Sequence, residues 1–331
     1  MFGLNLQRSI DLDEQYYSLE DYQSNVPRWC PGCGDNAILA SVQRLCRDEQ
    51  LPPEKTVFVS GIGCSSRFPH YMNTYGFHGL HGRALPIAQG VKIRRPDLQV
   101  FVNMGDGDCC SIGTAHWIHA IRYNMDIVAM VHDNEIYGLT KMQVSPTSRQ
   151  GLKTNTTPTG AYMKALNILT ATLGVTNASF VANAAEWIPD LLHDIIREAF
   201  HHKGFSFVRI VQRCPHYLPN LYDPLVTDPN KALILTHENG LQISETLTKT
   251  YKNQEEHDPS DLNRAREIAQ MDDVVPVGIL YRNENIECYD TLRKARRVFT
   301  AELRKEALEQ EFDKFAIDPL VSEAVASEEA S

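Results

Sequence analysis

The segment MGDGDCCSIG (Met104–Gly113) sets two aspartates among glycines, directly after the apolar run VFVNM, which reads as a buried strand. Turns of this kind usually cradle phosphate, and a carboxylate repels phosphate unless a cation lies between them. Asn134 ends the next apolar run, DIVAMVHDN, 28 residues after Asp106. One strand–helix–strand unit would place both residues at neighbouring strand ends. Magnesium takes six hard oxygens at about 2.1 Å. The Asp106 carboxylate, the Asn134 side-chain oxygen and the Ile136 carbonyl could supply three, with two diphosphate oxygens and a water to complete the set. Gly105 and Gly107 let backbone approach the ligand, and the N-terminus of the following helix favours an anion. Taken alone, GDGD fits a tight turn capped by Asp108 or Ser111 equally well; the asparagine at this spacing favours the cation.

Sulfur is the second reactive set. Cys30 and Cys33 form C-P-G-C, Cys64 lies 31 residues on, and Cys214 lies 150 beyond that. A zinc ribbon would show a second CxxC pair. A redox dithiol needs only the first pair, and a 4Fe–4S cluster takes four thiolates from wherever the fold gathers them. Spacing alone leaves cluster, zinc and dithiol open. Cys109 and Cys110 read as two small residues at a crowded turn.

The elements that must position these residues are short apolar strands alternating with helices. Strands are predicted at 55–64, 98–108, 126–134, 205–214 and 274–283, and helices at 35–49, 81–95, 112–124, 184–203 and 290–315. The pattern implies an α/β fold, a parallel sheet with helices on both faces, whose ligands bind beyond the carboxyl ends of the strands. GIGCSS, GDGDCC and HDNEIYGLT all fall at such ends. Residues 1–26 read as an N-terminal arm, 27–230 as the α/β domain, and 231–331 as a mostly helical C-terminal extension with a disordered acidic tail. The composition, 43% hydrophobic and 22% charged over 331 residues, is that of a soluble globular protein, and no apolar run approaches a membrane span. A net charge of −10 argues against nucleic acid. The mixed, acidic N-terminus is neither a signal nor a transit peptide, so the expected compartment is the cytoplasm.

WCPGCG (29–34), GIGCSS, GFHGLHGRALPIAQGVK, GDGD, DNEIYGLT, SPTS and RCPHY (213–217) follow one another over roughly 200 residues. In that order they resemble the β subunit of the 2-oxoacid:ferredoxin oxidoreductases, and YGLTKMQ is similar to members acting on 2-oxoglutarate or related 2-oxoacids. The resemblance implies a thiamine-diphosphate-binding fold, the pyrophosphate-binding half, with Asp106, Asn134 and Ile136 on Mg²⁺. It puts Gly105, Gly107, Asp108, Gly138, Leu139 and Thr140 around the diphosphate, and Ile62, Gly63, Cys64, Ser65 and His81 around the rest of the cofactor. Cys30, Cys33, Cys64 and Cys214 match the positions that hold a 4Fe–4S cluster; Cys46 and Cys288 do not. Arg67 stands where the family has a basic residue facing substrate or coenzyme A, and a bidentate arginine suits a dicarboxylic acid. A surface arginine is the alternative. His70 and His78 fit loop packing as well as catalysis, and Arg83 fits phosphate or a structural pair. The activity implied is coenzyme-A-dependent oxidative decarboxylation of a 2-oxoacid, best 2-oxoglutarate to succinyl-CoA, with electrons passing to ferredoxin. Pyruvate and branched-chain 2-oxoacids are alternatives. The glutamate that activates thiamine is expected from an α subunit in an (αβ)₂ hetero-oligomer, Glu135 being at the magnesium end. A non-redox thiamine decarboxylase would not need four cysteines. A zinc interaction module would show zinc without iron, and a nicotinamide dehydrogenase would need G-x-G-x-x-G.

Overall fold

A computed structural model of the chain describes residues 16–238, 241, 243–296 and 301–313. In chain order the strands are β1 (Thr56–Ser60), β2 (Tyr75–His78), β3 (Gln99–Gly105), β4 (Ile127–Asp133), the two-residue β5 (Ile136–Tyr137) and β6 (Gln143–Val144), β7 (Phe180–Ala185), β8 (Phe205–Val211), β9 (Ala232–Thr236), β10 (Gln254–Glu256) and β11 (Val275–Arg282). All but β5 and β6 join one nine-stranded sheet, ordered β10-β9-β11-β7-β8-β4-β3-β1-β2. From β7 to β2 every neighbouring pair is parallel, whereas β11 runs antiparallel to β7.

Side chains alternate across the sheet, and both faces are buried. Val57, Val59, Val100, Val102, Ala129 and Val131 enter one core, while Phe58, Phe101, Val128 and Met130 enter the other. The covering helices are α1 (Asp35–Asp48), α2 (Ala84–Arg94), α3 (Thr114–Tyr123), α4 (Ile168–Leu173) and α5 (Pro189–His201). α1 and α5 add Ile38, Val42, Leu192 and Ile196 to the second core; α2, α3 and α4 add Leu85, Trp117, Ile121 and Ile168 to the first. The expected parallel α/β sheet with helices on both faces is thus what the chain builds, with an antiparallel junction at β11.

Two expectations change. The helix predicted over 184–203 starts at Pro189, and FVANAA (180–185) is a central strand. Alanine favours helix locally, but between β8 and β11 its small side chains suit a strand buried on both faces. After residue 230 the sheet continues through β9, β10 and β11, and the compact unit runs to Asp290, with a second unit from Thr291. β9, ALILT, is too short for periodicity to type. The helix expected over 290–315 occurs as Tyr289–Arg296 and Ala301–Asp313. Most of the arm (1–15) and the acidic tail lie outside the described residues. No described helix is long and apolar enough to cross a membrane.

Candidate active site

β1, β3 and β4 lie side by side and parallel, so their carboxyl ends release three loops at one edge of the sheet. The cavity between these loops is lined by residues 62–65, His81, residues 105–108, Asn134 and residues 136–140. The structure therefore brings together on one wall every residue expected around the diphosphate, the cation and the rest of the cofactor. The cavity encloses about 50 Å³, against about 300–1,000 Å³ for a complete ligand pocket. Larger cavities of about 530 and 740 Å³ lie beside His257 and beside β2, away from these loops. The strand ends form one side of a site.

At the base, Asp106 is 2% exposed. Its Oδ2 lies 2.6 Å from the Thr147 hydroxyl, which is also 2.8 Å from Asp133 Oδ1. One hydroxyl has one hydrogen and can donate to only one carboxylate at a time. Asp133 has a cation of its own, with Arg209 Nε at 2.7 Å from Oδ2. Among the described residues Asp106 has none, and burial, followed by the charge on Asp133, pushes its pKa up to about 7. A buried carboxylate short of a counter-charge is a fitting ligand for a hard cation. Beside it, Asn134 donates from Nδ2 to Gln212 Oε1 at 2.8 Å and accepts from the Ile136 N–H at 3.1 Å. That leaves a second acceptor site on Asn134 Oδ1. Among the described residues no three His, Cys, Asp or Glu side chains converge as a metal cage. A set of one carboxylate, one amide and one carbonyl, completed by ligand oxygens, is not of that kind.

Asp108 faces inward. Its Oδ1 accepts from Ile62 N at 3.2 Å and Gly82 N at 2.7 Å, and His81 Nδ1 lies 2.5 Å away. The carboxylate thus ties together the loops after β1 and β2, and His81 is held by it. The Tyr137 ring covers Gly107, and a Cβ there would collide with it unless the ring moved. Tyr137 also donates to the Gly107 carbonyl at 3.1 Å. In the loop after β4, Glu135, Lys141 and Met142 all take left-handed backbone, with φ of 60°, 70° and 72°. Non-glycine residues rarely adopt that conformation, and it concentrates at functional loops.

The sulfur side borders the same cavity. A Cβ on Gly138 would lie 3.6 Å from Cys64 Sγ and 3.9 Å from Cys214 Sγ. Burial foremost, then the charges of Asp35, Cys214 and Cys30, push the Cys64 thiol up to about 12. Burial and then Asp35 raise Cys33, with Cys64 adding to it. Cys30, Cys33 and Cys214 therefore each lie within electrostatic reach of Cys64, on loops fastened by Trp29 Nε1 to the Cys64 carbonyl (2.7 Å) and Gly34 N to the Arg213 carbonyl (3.2 Å). A buried row leads away from Cys33. Its Sγ lies 3.5 Å from Asp35 Oδ2, His132 Nδ1 donates to Asp35 Oδ1 at 2.7 Å, and Asn103 Nδ2 donates to His132 Nε2 at 3.1 Å.

Other expected residues sit apart. Arg67 does not line the cavity; its Nη1 donates to the Arg28 carbonyl at 3.3 Å and its guanidinium lies over Tyr71. Glu135 faces away from the cavity, paired with Arg149 at 3.0 Å and the Tyr222 hydroxyl at 3.1 Å. His78 packs in its loop through the Ser66 carbonyl, 2.8 Å from Nδ1, with the His70 ring beside it. Arg83 Nη1 donates to the Gly82 carbonyl at 3.5 Å. Cys109 and Cys110 are buried in the core, as is Cys46, and Cys288 lies beside Asp290. Sequence reasoning missed Tyr137, Thr147, Asp133, Arg209 and Gln212. Asp133 and Tyr137 lie inside the motif HDNEIYGLT and Thr147 inside SPTS; Arg209 and Gln212 carry no local signal.

Fold and site together define a thiamine-diphosphate-binding α/β protein. The model of the thiamine pyrophosphate enzyme C-terminal TPP-binding domain matches residues 61–210, and that of the C-terminal part of the pyruvate ferredoxin oxidoreductase β subunit matches 247–296. The chain is 46% identical to 2-oxoglutarate oxidoreductase subunit KorB of Mycobacterium tuberculosis, over 73% of this chain and 65% of that protein. It is 36% identical to the 2-oxoacid:ferredoxin oxidoreductase subunit beta of Saccharolobus solfataricus, over 79% and 84%. The solved 2-oxoglutarate:ferredoxin oxidoreductase of Magnetococcus marinus, with 2-oxoglutarate, coenzyme A and succinyl-CoA bound, superposes with a TM-score of 0.74 at 35% identity, over 90% of this chain and 97% of that one. The chain belongs to the β subunits of the 2-oxoacid:ferredoxin oxidoreductases.

Proposed function

We propose that this chain, with an α partner, converts 2-oxoglutarate and coenzyme A to succinyl-CoA and CO₂, passing the two electrons released to ferredoxin. It would do so in the cytoplasm as part of an (αβ)₂ hetero-oligomer. The observation that carries the reading is Asp106: a buried carboxylate that receives hydrogen bonds but, among the described residues, no cation, at the strand end where a diphosphate would sit. Asp106, Asn134 and the Ile136 carbonyl would hold Mg²⁺, and residues 138–140 with Gly105 would face the diphosphate. Bound thiamine diphosphate would supply the electron sink that lets CO₂ leave. Cys30, Cys33, Cys64 and Cys214 would hold the 4Fe–4S cluster, next to the cofactor because Cys64 lines both sites. His81 would contact the cofactor, and Arg67 would serve substrate or coenzyme A. Among the described residues no glutamate lines the cavity, and together with its small volume that supports a partner chain as the source of the activating one.

The substrate is drawn from the relatives' names; the match of 247–296 to a pyruvate enzyme's β subunit favours pyruvate as the second reading. The test is anaerobic co-purification with the partner chain, iron and sulfide analysis, and 2-oxoacid-dependent viologen reduction. Four irons per chain, with coenzyme-A-dependent reduction fastest on 2-oxoglutarate, is the expected result. Zinc without iron, or rates independent of coenzyme A, would overturn it.

A further inference from the structure

The two sites are joined by one side chain, Gln212, which is 1% exposed. Its amide has an oxygen that only accepts and a nitrogen that only donates. The nitrogen lies 2.5 Å from the Arg213 carbonyl and 3.3 Å from Cys33 Sγ, while the oxygen accepts from Asn134 Nδ2 at 2.8 Å. A carbonyl can only accept, so Arg213 dictates which end of the Gln212 amide faces it. The oxygen left over demands an N–H, so Asn134 must present its own nitrogen there and turn Oδ1 to the cavity. One backbone carbonyl thereby orients two amides in series. The path is built in: Gln212 N–H donates to the Asp133 carbonyl at 2.9 Å. Gly34, which closes the WCPGCG motif, has to lack a Cβ, since one would fall 2.9 Å from Gln212 Cγ and 2.7 Å from Glu186 Cγ.

We propose that Gln212 is a positioning residue that couples the two halves of the site, presenting the Asn134 oxygen to the cation while donating to the Cys33 sulfur. This rests on the reading of the cation and cluster ligands above. A hydrogen bond to a ligating sulfur raises a cluster's reduction potential, and partners that orient ligands typically change metal affinity by about 10–100-fold. Changing one amide should therefore alter both sites, and the substitution chosen should separate the two effects.

The experiment uses the anaerobically purified complex with its partner. Thiamine diphosphate affinity in MgCl₂ is read by calorimetry, and the cluster potential by dye-mediated titration followed near 400 nm. In Gln212→Leu, affinity should fall about tenfold and the potential should drop. In Gln212→Glu an oxygen still faces Asn134, but the other carboxylate oxygen can donate neither to the Arg213 carbonyl nor to Cys33, so affinity should fall by less than in leucine while the potential drops further. That split is what a merely structural role would not produce, and it survives even if the leucine variant fails to fold. Gln212→Glu leaving the potential unchanged, or lowering affinity as much as leucine does, overturns the assignment of Gln212 alone. A parent complex without iron, or without magnesium-dependent cofactor binding, overturns the underlying reading and this inference with it.

Discussion

The cation side and the sulfur side of the site are built on opposite principles. Asp106 and Asp133 are buried at strand ends, with the buried Thr147 reaching them from a turn and Arg209 bonded to Asp133. Cys30 is exposed and Cys33, Cys64 and Cys214 are half-buried, on loops held by a few backbone and indole hydrogen bonds. The first is set by the sheet before any ligand arrives. The second brings three thiols within reach of Cys64 without converging as a metal cage among the described residues, and its final geometry is left to whatever it binds.

Four experiments test that contrast. The largest effect is expected from Cys214→Ser: nearly all iron and all viologen reduction should be lost, while the far-ultraviolet circular dichroism stays that of the parent. Full iron content in this variant would remove Cys214 from the ligand set. Next, Asp106→Asn should lower activity by more than about a hundredfold, beyond what an outer partner of a metal costs. Because it removes an uncompensated buried charge, it should also raise the melting temperature of the cofactor-free protein at pH 8. A lower melting temperature would mean that Asp106 is not short of a counter-charge. Arg209→Met should cost about 3–5 kcal/mol in denaturant unfolding, since it strands Asp133 beside Asp106; a cost under about 1 kcal/mol would show that the sheet does not depend on that pair.

The smallest effect separates the site from the fold around it. His202 is buried beside Phe180, with Nε2 at 2.9 Å from the Ser179 hydroxyl, and burial holds its pKa down to about 4. The unfolded chain, with an ordinary imidazole, binds more protons between pH 4 and about 6.5. Stability should therefore be whole above about pH 6.5 and fall as pH drops, by at most about 1.4 kcal/mol per unit. Unfolding midpoints measured from pH 7 to 5 should show this slope, and His202→Gln should flatten it. An unchanged slope would mean other groups set the acid response.

Much of this was legible in the chain because it is local. GDGD after an apolar run, Asn134 one strand further, and cysteines before and after β1 are patterns of neighbours, and the loops holding them lie at the strand ends that alternating apolar runs predict. β7 was not legible, because FVANAA becomes a strand through the partners on its two sides. Nor was the continuation of the sheet after residue 230, since the five residues of β9 carry no period. Arg67 illustrates the opposite limit: its place in sequence, three residues after Cys64, put it near the site, but its side chain turns to Arg28 and Tyr71.

By itself the sequence determined the chemistry available: an acid and an amide one strand apart, four thiols, glycines where the chain must turn tightly. Only the tertiary structure decided which acid is left without a cation. Asp106, Asp108 and Asp133 look alike in sequence, yet Arg209 neutralises one, the amides of Ile62 and Gly82 engage another, and the third remains uncompensated. The reason is physical. A charge in a dry interior is governed by what lies within a few ångströms, and those neighbours come from β8, from the loops after β1 and β2, and from Thr147, which sequence distance does not bring together.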